Sequence, residues 1–391
     1  MGQSVIVAGF RTPIGRLGGG LSSLNAAELG GKVIEATLNQ VDFEPAHVDE
    51  VIMGTVLQGG QGQIPSRQAA SMGGIPFEVA TETINKVCAS GMRAVTLADQ
   101  IIRAGDAKAI IAGGMESMSN APYFVKGTRF GTKMGHTSLL DLMIHDGLTC
   151  AFHGGAMGNY GNRTAELYEI SREEQDKWSY RSHKLAIEAM ESGVFAKEII
   201  PITISSKKGM VTVQTDEGPR KDSTLEKLLQ LKPAFDKSGT ITAGNAPSVN
   251  DGAACLFVMD EDYALELGYE PLGKIVAHTA VGVAPEDFPI TPGIAINKLL
   301  EKTNKTVDDI ALFEINEAFS VVALASMKIA GIPQEKVNVN GGAVALGHPI
   351  GASGARIILT LLHELKRKGG GLGIAAICSG GGQGDAVLLE V

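Results

Sequence analysis

Two cysteines and a histidine stand in short glycine-containing segments where their side chains could do nucleophilic chemistry. Cys88 comes just before a predicted helix over 91–102, and the positive end of a helix dipole favours a thiolate nucleophile. The alternative for Cys88 is an unreactive buried cysteine. His348 lies between Gly347 and Pro349, shortly before another predicted helix. This position suits a base that takes the proton of a thiol, and the alternative is a loop histidine bonded to backbone.

Cys378 and Asn316 each follow a predicted strand, over 374–378 and 310–315 respectively. Glycines come after Cys378, beginning at Gly380, and their unobstructed N–H groups could form an oxyanion hole. Cys378 could equally be a small buried residue. Asn316 could cap the helix that is predicted to start there, or it could hold a water or a carbonyl oxygen in an active site.

The elements that position these residues alternate between strands and helices. Near-continuous apolar runs at 5–7, 51–53 and 109–112 predict strands covered on both faces, and helical spacing predicts a helix over 26–38. This alternation indicates an α/β layered fold. The composition agrees, because 44% of the 391 residues are hydrophobic and 20% are charged, as in globular proteins rather than disordered ones.

An internal repeat indicates that the fold is built twice. The sequence at 90–93, Ser-Gly-Met-Arg, resembles Ser-Gly-Ala-Arg at 353–356, and 48–52 resembles 307–311. Both pairs have nearly the same separation along the chain. The repeat predicts two copies of one α/β unit of about 120 residues.

The segment between the copies, roughly 118–250, has a different character. Ser171 with Glu174 forms a capping-box pattern and predicts a helix over about 171–192. The stretch from 205 to 240 has five acidic residues and seven basic ones: Lys207, Lys208, Arg220, Lys221, Lys227, Lys232 and Lys237. It could seat an anionic ligand, or it could be a solvated surface.

Several classes of protein are disfavoured by composition and motifs. A net charge of -9 argues against a nucleic-acid binder, which needs a basic face. The four cysteines match no zinc-site spacing and suit a reducing cytoplasm. No apolar stretch approaches the ~18 residues of a membrane span, and 1–11 lacks the cationic start of a signal peptide. Phosphate-loop and complete dinucleotide-binding motifs are missing.

These motifs together resemble the thiolase family and, within it, the acetyl-CoA acetyltransferases. The resemblance runs from Arg11-Thr12-Pro13 to the last strand, and its motifs are highly specific only as a set. They lie at 85–91, 113–119, 316–319, 347–351 and 378–382. The resemblance implies a layered αβαβα fold of two duplicated α/β halves with an inserted loop domain. We expect an N-terminal half at 1–120 with 250–271, a loop domain that binds coenzyme A at 121–249, and a C-terminal half at 272–391.

The resemblance also implies a reaction and the roles of its residues. Two acetyl-CoA molecules would condense reversibly to acetoacetyl-CoA plus CoA through an acyl-Cys88 intermediate, with His348 as the base and Cys378 as the second acid and base. The N–H groups of Cys88 and Gly380 would form one anion site, and His348 with a water held by Asn316 the other. We expect no metal and no permanently bound cofactor, because coenzyme A thioesters are the substrates.

The middle segment would hold coenzyme A. By resemblance, Arg220 lies near its nucleotide, and the pantetheine tunnel is lined by Leu148, Met157, Phe235, Ala243 and Phe319. We expect small-molecule acyl-CoA substrates, a homodimer or homotetramer, a cytoplasmic location, and no nucleic-acid or membrane partner.

Three positions depart from the bacterial pattern. Pro247 stands where many members have Ser, and Ser248 follows it. Ala156 replaces a frequent His. Phe288-Pro289 is similar to the mitochondrial acetoacetyl-CoA thiolase, which also takes a 2-methyl-branched chain and responds to potassium. We therefore expect a short-chain pocket that tolerates such a branch, and potassium dependence is a further expectation.

Alternative functions remain at this point. The nearest is a 3-ketoacyl-CoA thiolase of β-oxidation with a longer acyl slot. A ketoacyl synthase is disfavoured, because Cys378 stands where that branch has His or Asn. A thiolase-like lipid-binding protein without catalysis is disfavoured by the complete set Cys88, His348 and Cys378. A simple cysteine hydrolase would need neither Cys378 nor a duplicated fold.

Overall fold

The computed structural model describes residues 2–206 and 209–391, so Lys207 and Lys208 of the basic stretch lie outside the described residues. The strands are β1 Ser4–Arg11, β2 Gly15–Arg16, β3 Glu50–Gly54, β4 Ala80–Ile84, β5 Ala109–Ser117, β6 Tyr123–Phe124, β7 Leu140–Asp141, β8 Ile202–Ser206, β9 Gly209–Val213, β10 Asn250–Asp260, β11 Gly273–Gly282, β12 Leu312–Ile315, β13 Leu372–Ser379 and β14 Gln383–Glu390. The helices are α1 Ala26–Val41, α2 Pro65–Met72, α3 Ser90–Ala104, α4 Met157–Leu167, α5 Arg172–Glu191, α6 Leu225–Leu229, α7 Glu261–Glu266, α8 Thr291–Thr303, α9 Ser320–Ala330, α10 Ala343–Leu346 and α11 Ser353–Arg367.

The large sheet shows the duplication directly. Its order is β12-β13-β14-β11-β1-β10-β5-β3-β4, with the short β2 paired to β10. In the first half β4, β3 and β5 are parallel and β10 and β1 follow antiparallel. In the second half β12 and β13 are parallel and β14 and β11 follow antiparallel. The halves meet where β1 pairs with β11 at Val5 and Ile6. The repeat predicted from the sequence is therefore confirmed.

Three apolar clusters separate the layers of the fold. The first packs α1 and α2 on the outer face of the first half, with Val33 of α1 as an example. The second buries α3 and α11 between the two halves, through residues such as Val95 and Ile358. The third packs α8 and α9 on the outer face of the second half, through residues such as Leu299. Because β5 and β10 are buried on both faces, the fold is a layered α/β structure, as predicted.

The inserted segment packs against the second half through α5. The Ser171 capping box is present, with Glu174 N–H donating to the Ser171 hydroxyl and the Glu174 carboxylate accepting from the Ser171 N–H. Trp178 Nε1 donates to Glu317 Oε1 at 3.0 Å, and Ser182 Oγ donates to Glu317 Oε2 at 2.8 Å. These bonds tie α5 to the segment that contains Asn316. The division into domains stays a prediction.

The helix predicted to start at Asn316 starts later, and the capping role considered for Asn316 is wrong. Helix α9 begins at Ser320, and Phe319 before it is extended, with φ -154° and ψ 158°. Asn316 N–H donates to the Ala376 carbonyl at 2.9 Å, and Ser320 N–H donates to the Asn245 carbonyl at 2.9 Å. Asn316 therefore continues the line of β12 along β13, which leaves its side chain free for another use.

Candidate active site

Cys88 lies on a tight turn between β4 and α3. The preceding residue, Val87, has φ 46°, which is a strained conformation for a β-branched residue. Ser90 Oγ holds the turn, because it accepts from Lys86 N–H at 2.8 Å and donates to the Val87 carbonyl at 2.6 Å. The Cys88 side chain is half-buried. The turn resembles a nucleophile elbow, in which backbone strain exposes a reactive side chain.

The thiol of Cys88 is protonated at neutral pH. Burial raises the pKa of Cys88 to about 12, although the backbone N–H groups of Gly380 and Cys88 donate to its sulfur and act in the opposite direction. The negative charge of Glu116 raises the pKa further. The expectation that the α3 dipole favours a resting thiolate is therefore wrong, because loss of hydration outweighs the helix terminus. Cys88 needs a base at the moment of attack.

His348 can act as this base, because its neutral ring has a free lone pair on Nε2. Its Nδ1 lies 2.6 Å from Ser353 Oγ, and Ser353 Oγ donates to the Pro349 carbonyl at 2.9 Å. Because the hydroxyl proton is used in that bond, Nδ1 is the protonated ring nitrogen and Nε2 carries the lone pair. Burial and the positive charge of Arg356 lower the pKa of His348 to about 3. Among the described residues, Nε2 has no hydrogen-bond partner.

The backbone of His348 is held by Asn250. His348 N–H donates to Asn250 Oδ1 at 2.9 Å, and Asn250 Nδ2 donates to the Gly15 carbonyl at 2.9 Å. Gly347 has φ 116°, and a Cβ there would lie 2.6 Å from the Asn250 side chain, so only glycine fits. Sequence reasoning missed Asn250, because it lies almost a hundred residues before the histidine and forms no local motif with it.

Cys378 and Asn316 are buried beside this centre. Cys378 is fully buried, and burial followed by the negative charge of Cys88 raises its pKa well above the ordinary value. The two cysteines are therefore close enough to interact electrostatically. Asn316 is also fully buried, and neither its Oδ1 nor its Nδ2 has a partner among the described residues. Such buried unpaired groups are rare and mark a place where a ligand group can bind.

An apolar cavity of about 200 Å³ joins most of the predicted residues. Cys88 and His348 both line it. Leu148, Met157, Phe235 and Phe319, predicted as pantetheine contacts, line it as well. Cys378, Asn316 and Gly380 border this centre without lining the cavity itself. Of the positions that depart from the bacterial pattern, Pro247 and Phe288 are on its wall and Ala156 is not, and Ser248, which follows Pro247, also lines it.

A second cavity of about 230 Å³ is polar and positively charged. Arg220, predicted to lie near the nucleotide, lines it together with Arg16, Lys227 and His183. Ala243, predicted to line the pantetheine tunnel, is on the wall of this polar cavity and not of the apolar one. Burial, followed by the charge of Arg220, lowers the pKa of His183 to about 4. The two cavities share Ala246 and Ser248 on their walls. They therefore adjoin, with the cationic one leading towards Cys88.

The basic stretch over 205–240 divides between the cationic cavity and the solvated surface. Of its described residues, Arg220 and Lys227 line the cavity, whereas Lys221 pairs with Glu191 at 2.5 Å on the surface. Lys207 and Lys208 lie outside the described residues. Arg16, from the short β2, was missed because no local pattern marks a residue that is brought in from two hundred positions away.

Across 2–206 and 209–391, no group of three or more His, Cys, Asp and Glu side chains is placed to hold a metal ion. In the same part of the chain, no helix has the length and apolar character needed to cross a bilayer.

The layered fold and the grouping of Cys88, His348 and Cys378 are typical of thiolases, and the chain belongs to the thiolase family. Residues 4–262 match the family model described as thiolase, N-terminal domain. Residues 269–391 match the one described as thiolase, C-terminal domain. The fold and family suggested by the motifs are thereby confirmed, and the chain is an acyltransferase of this family.

Particular relatives are similar over the whole chain. A protein of Staphylococcus epidermidis named "Probable acetyl-CoA acyltransferase" is 48% identical over 391 residues, covering 100% of this chain and 99% of the relative. A protein of the same name from Staphylococcus aureus is 47% identical with the same coverage. The crystal structure of the Bacillus anthracis acetyl-CoA acetyltransferase superposes with a TM-score of 0.98 at 44% identity, covering 100% of this chain and 99% of that one.

Proposed function

We propose that this thiolase is an acetyl-CoA C-acetyltransferase, which condenses two acetyl-CoA to acetoacetyl-CoA and CoA, or runs the reverse thiolysis. One observation carries the proposal. Cys88 and His348 line the same apolar cavity, with the lone pair of His348 Nε2 unpaired and the Gly380 N–H on the Cys88 sulfur. Nucleophile, base and anion donor are thus brought to one place from both halves of the fold.

The first step is acyl transfer to Cys88. His348 Nε2 takes the thiol proton as the sulfur attacks the acetyl-CoA carbonyl, and the bond between that carbonyl and the CoA sulfur breaks. The imidazolium then gives its proton to the leaving CoA thiolate. Burial and the positive charge of Arg356 keep His348 neutral, so its Nε2 is available to accept the thiol proton in this step.

The second step forms the carbon–carbon bond. His348 Nε2, neutral again after the first step, takes the proton of the Cys378 thiol. The Cys378 thiolate then takes the α-proton of a second acetyl-CoA, and the enolate attacks the acetyl-Cys88 carbonyl. The Cys88 sulfur leaves as a thiolate and receives the proton held by His348, which returns all three groups to their starting states. Burial, followed by the charge of an ionised Cys88, raises the pKa of Cys378. Acylation prevents Cys88 from ionising, so in the acyl-enzyme this second contribution is absent.

Both steps place negative charge on a thioester oxygen. The N–H groups of Cys88 and Gly380 are assigned to one such oxygen, and their donation to the Cys88 sulfur supports this. His348 and the unpaired Asn316 amide, acting directly or through a water, are assigned to the other. Removing one such donor typically costs about 100- to 1000-fold in rate.

The adjoining cavities support coenzyme A as the acyl carrier. The cationic cavity with Arg16, Arg220 and Lys227 suits the phosphates. The apolar cavity with Leu148 and Met157 suits pantetheine. Ser248, which lines both cavities, bonds to Asn250 Oδ1 at 3.1 Å, so we do not assign its hydroxyl to the pantetheine amide.

A bulky residue on the wall of the apolar cavity supports a short acyl chain. Phe288 lines this cavity, is 2% exposed and packs edge-to-face on Tyr160 with ring centroids 6.3 Å apart. Thiolysis of C4, 2-methyl-C4 and C8–C16 3-ketoacyl-CoA tests this. We expect activity on both C4 substrates, and potassium is added in one arm of the assay. Preference for the long chains would establish the alternative, a broader 3-ketoacyl-CoA thiolase.

The surface supports a homodimer or homotetramer. Within the part of the chain that the structure describes, strand β4 is an edge of the large sheet and pairs only with β3, and such edges invite pairing. The hairpin formed by β6, β7 and the segment between them exposes Phe130 by 89% and Met134 by 93%, and exposed apolar groups of this kind mark interaction surfaces. Light scattering on the purified protein distinguishes monomer from dimer and tetramer. The four free cysteines support a reducing, cytoplasmic setting.

A burst assay with acetyl-CoA tests the mechanism. We expect one equivalent of CoA to be released and an acetyl group to be recovered on the peptide that contains Cys88. Cys88→Ser should abolish both. Cys378→Ser should retain the burst and lose condensation, which separates the roles of the two cysteines. A wild-type enzyme that turns over without an adduct on Cys88 would refute the mechanism.

A further inference from the structure

Glu116, near the end of β5, is a fully buried carboxylate that the mechanism above does not use. Its Oε1 accepts from Thr55 Oγ1 at 3.1 Å and from Leu57 N–H at 3.2 Å. Its Oε2 accepts from Val56 N–H at 3.0 Å and from Gly351 N–H at 2.9 Å. Four donors thus converge on one side chain within the described residues.

These contacts favour the ionised carboxylate. Three of the four donors are backbone N–H groups, which cannot accept a hydrogen bond. A protonated Glu116 would direct its O–H at one of these donors and lose a bond. Burial raises the pKa of Glu116 to about 7, while the same four donors lower it. The four donors thus offset part of the burial effect and favour the charged form of the side chain.

The four donors come from the segments that hold the catalytic pair. Gly351 lies three residues after His348, and a Cβ there would be 2.7 Å from Glu116 Oε2, so the approach requires glycine. On the other side, Thr55 N–H donates to the Ile84 carbonyl at 3.0 Å, just before the Cys88 turn.

The same segments also pack against each other through apolar side chains. Val56 and Leu57 form one apolar cluster with Ile350 of the histidine segment, and Cys88 itself packs against this cluster. The segment 55–57, which supports the Cys88 turn, thus contacts the segment that contains His348. The carboxylate of Glu116 accepts hydrogen bonds from both segments.

We propose that Glu116 is a positioning residue for acyl transfer, whose carboxylate holds the His348 segment of the second half against the support of the Cys88 turn in the first half. This inference rests on the proposed function, in which Cys88 is acylated with His348 as the base. Glu116 lies in the 113–119 motif, for which the sequence indicated no role.

The test is Glu116→Gln, which keeps the size of the side chain and places an amide NH₂ against backbone N–H donors. We expect the CoA burst rate to fall roughly 10- to 100-fold, as a misplacement of about 1 Å can cost, with KM for acetyl-CoA within about twofold. The matched control is Glu364→Gln on α11. Glu364 is also buried and is bonded by Asn340 and Arg367, away from the cavity that contains Cys88.

A second readout is specific to the charge of Glu116. Besides Glu116, the titratable groups around the Cys88 thiol are Cys378 and His348, and Lys86 on the same turn is paired with Asp385 at 2.7 Å. Because the Glu116 charge raises the pKa of Cys88, its removal should shift the pH profile of Cys88 alkylation by iodoacetamide to lower pH. Glu364→Gln should leave this profile in place.

The outcomes separate the two proposals. If wild type shows no burst and Cys88→Ser still turns over, the proposed function fails, and the role of Glu116 fails with it. If wild type shows the burst while folded Glu116→Gln matches Glu364→Gln in burst rate and alkylation profile, the role of Glu116 alone is refuted. Thr55→Val, which removes one bond to Oε1, should slow the burst severalfold, and it decides the question if Glu116→Gln does not fold.

Discussion

Replacing Ser353 by alanine should slow acylation without weakening substrate binding. In the folded enzyme Ser353 Oγ meets His348 Nδ1 at 2.6 Å. At rest this bond joins two neutral groups. Once His348 has taken the Cys88 proton, the same bond joins the Ser353 hydroxyl to an imidazolium cation. A neutral hydrogen bond contributes about 1 kcal/mol and one to a charged group about 1.5–3 kcal/mol. The bond therefore strengthens by about 1–2 kcal/mol on the way to the transition state.

A loss of this size corresponds to roughly 5- to 30-fold in the acylation rate. Stopped-flow release of CoA in a single turnover measures this rate directly. The burst amplitude should remain one equivalent, because Cys88 is intact. KM should change little, because Ser353 lines neither of the two cavities assigned to coenzyme A.

The control is Ser326→Ala in α9. Ser326 is equally buried, but its hydroxyl has no hydrogen-bond partner among the described residues, so its removal should leave acylation unchanged. A Ser353→Ala enzyme that acylates within about twofold of wild type would show that Ser353 does not hold His348 in the reactive tautomer. An equal slowing in Ser326→Ala would instead indicate a general loss of packing.

Three further predictions follow from the same geometry. Arg220→Ala should raise KM for acetyl-CoA about 10-fold with kcat nearly unchanged, as expected for the loss of a phosphate contact of about 1.4 kcal/mol. Lys237 is an exposed basic residue of the same stretch that does not line the cavity, so Lys237→Ala should leave KM unchanged. An equal rise of KM in both variants would count against a contact between Arg220 and the phosphates. His183→Gln should flatten the decline of unfolding free energy between pH 7 and 5 in urea titrations. In the folded state His183 stays neutral down to about pH 4, whereas in the unfolded state it takes up a proton below about pH 6.5. The wild-type enzyme therefore loses stability as the pH falls through this window. If the plots of unfolding free energy against pH were parallel for wild type and His183→Gln, this account would be contradicted. Trp178→Phe removes a buried bond to Glu317 and should lower the unfolding free energy by about 2 kcal/mol or more. Circular dichroism in urea measures this loss, because the variant lacks the chain's single Trp and so has no Trp fluorescence to follow. An unchanged midpoint would show that the bond from Trp178 to Glu317 does not stabilise the fold.

Local sequence patterns were sufficient for the layers and the duplication. Apolar runs such as 109–112 belong to strands buried on both faces, and the similar segments at 90–93 and 353–356 begin the paired helices α3 and α11. These features depend on periodicity and on residue types within a few positions, which the chain carries without reference to distant contacts. The boundary at Asn316 was wrong, because partners in β13 and at Asn245 extend that segment.

The sequence by itself determined the family, and it also placed the two cysteines and the histidine in glycine-containing turns. The protonation states of Cys88 and His348 were decided by tertiary structure, since burial is the loss of water on all sides of a group and outweighed the local helix terminus. The same holds for the residues that no motif revealed. Asn250 and Glu116 act through hydrogen bonds to segments about a hundred or more residues away, and only the folded chain brings such groups within bonding distance.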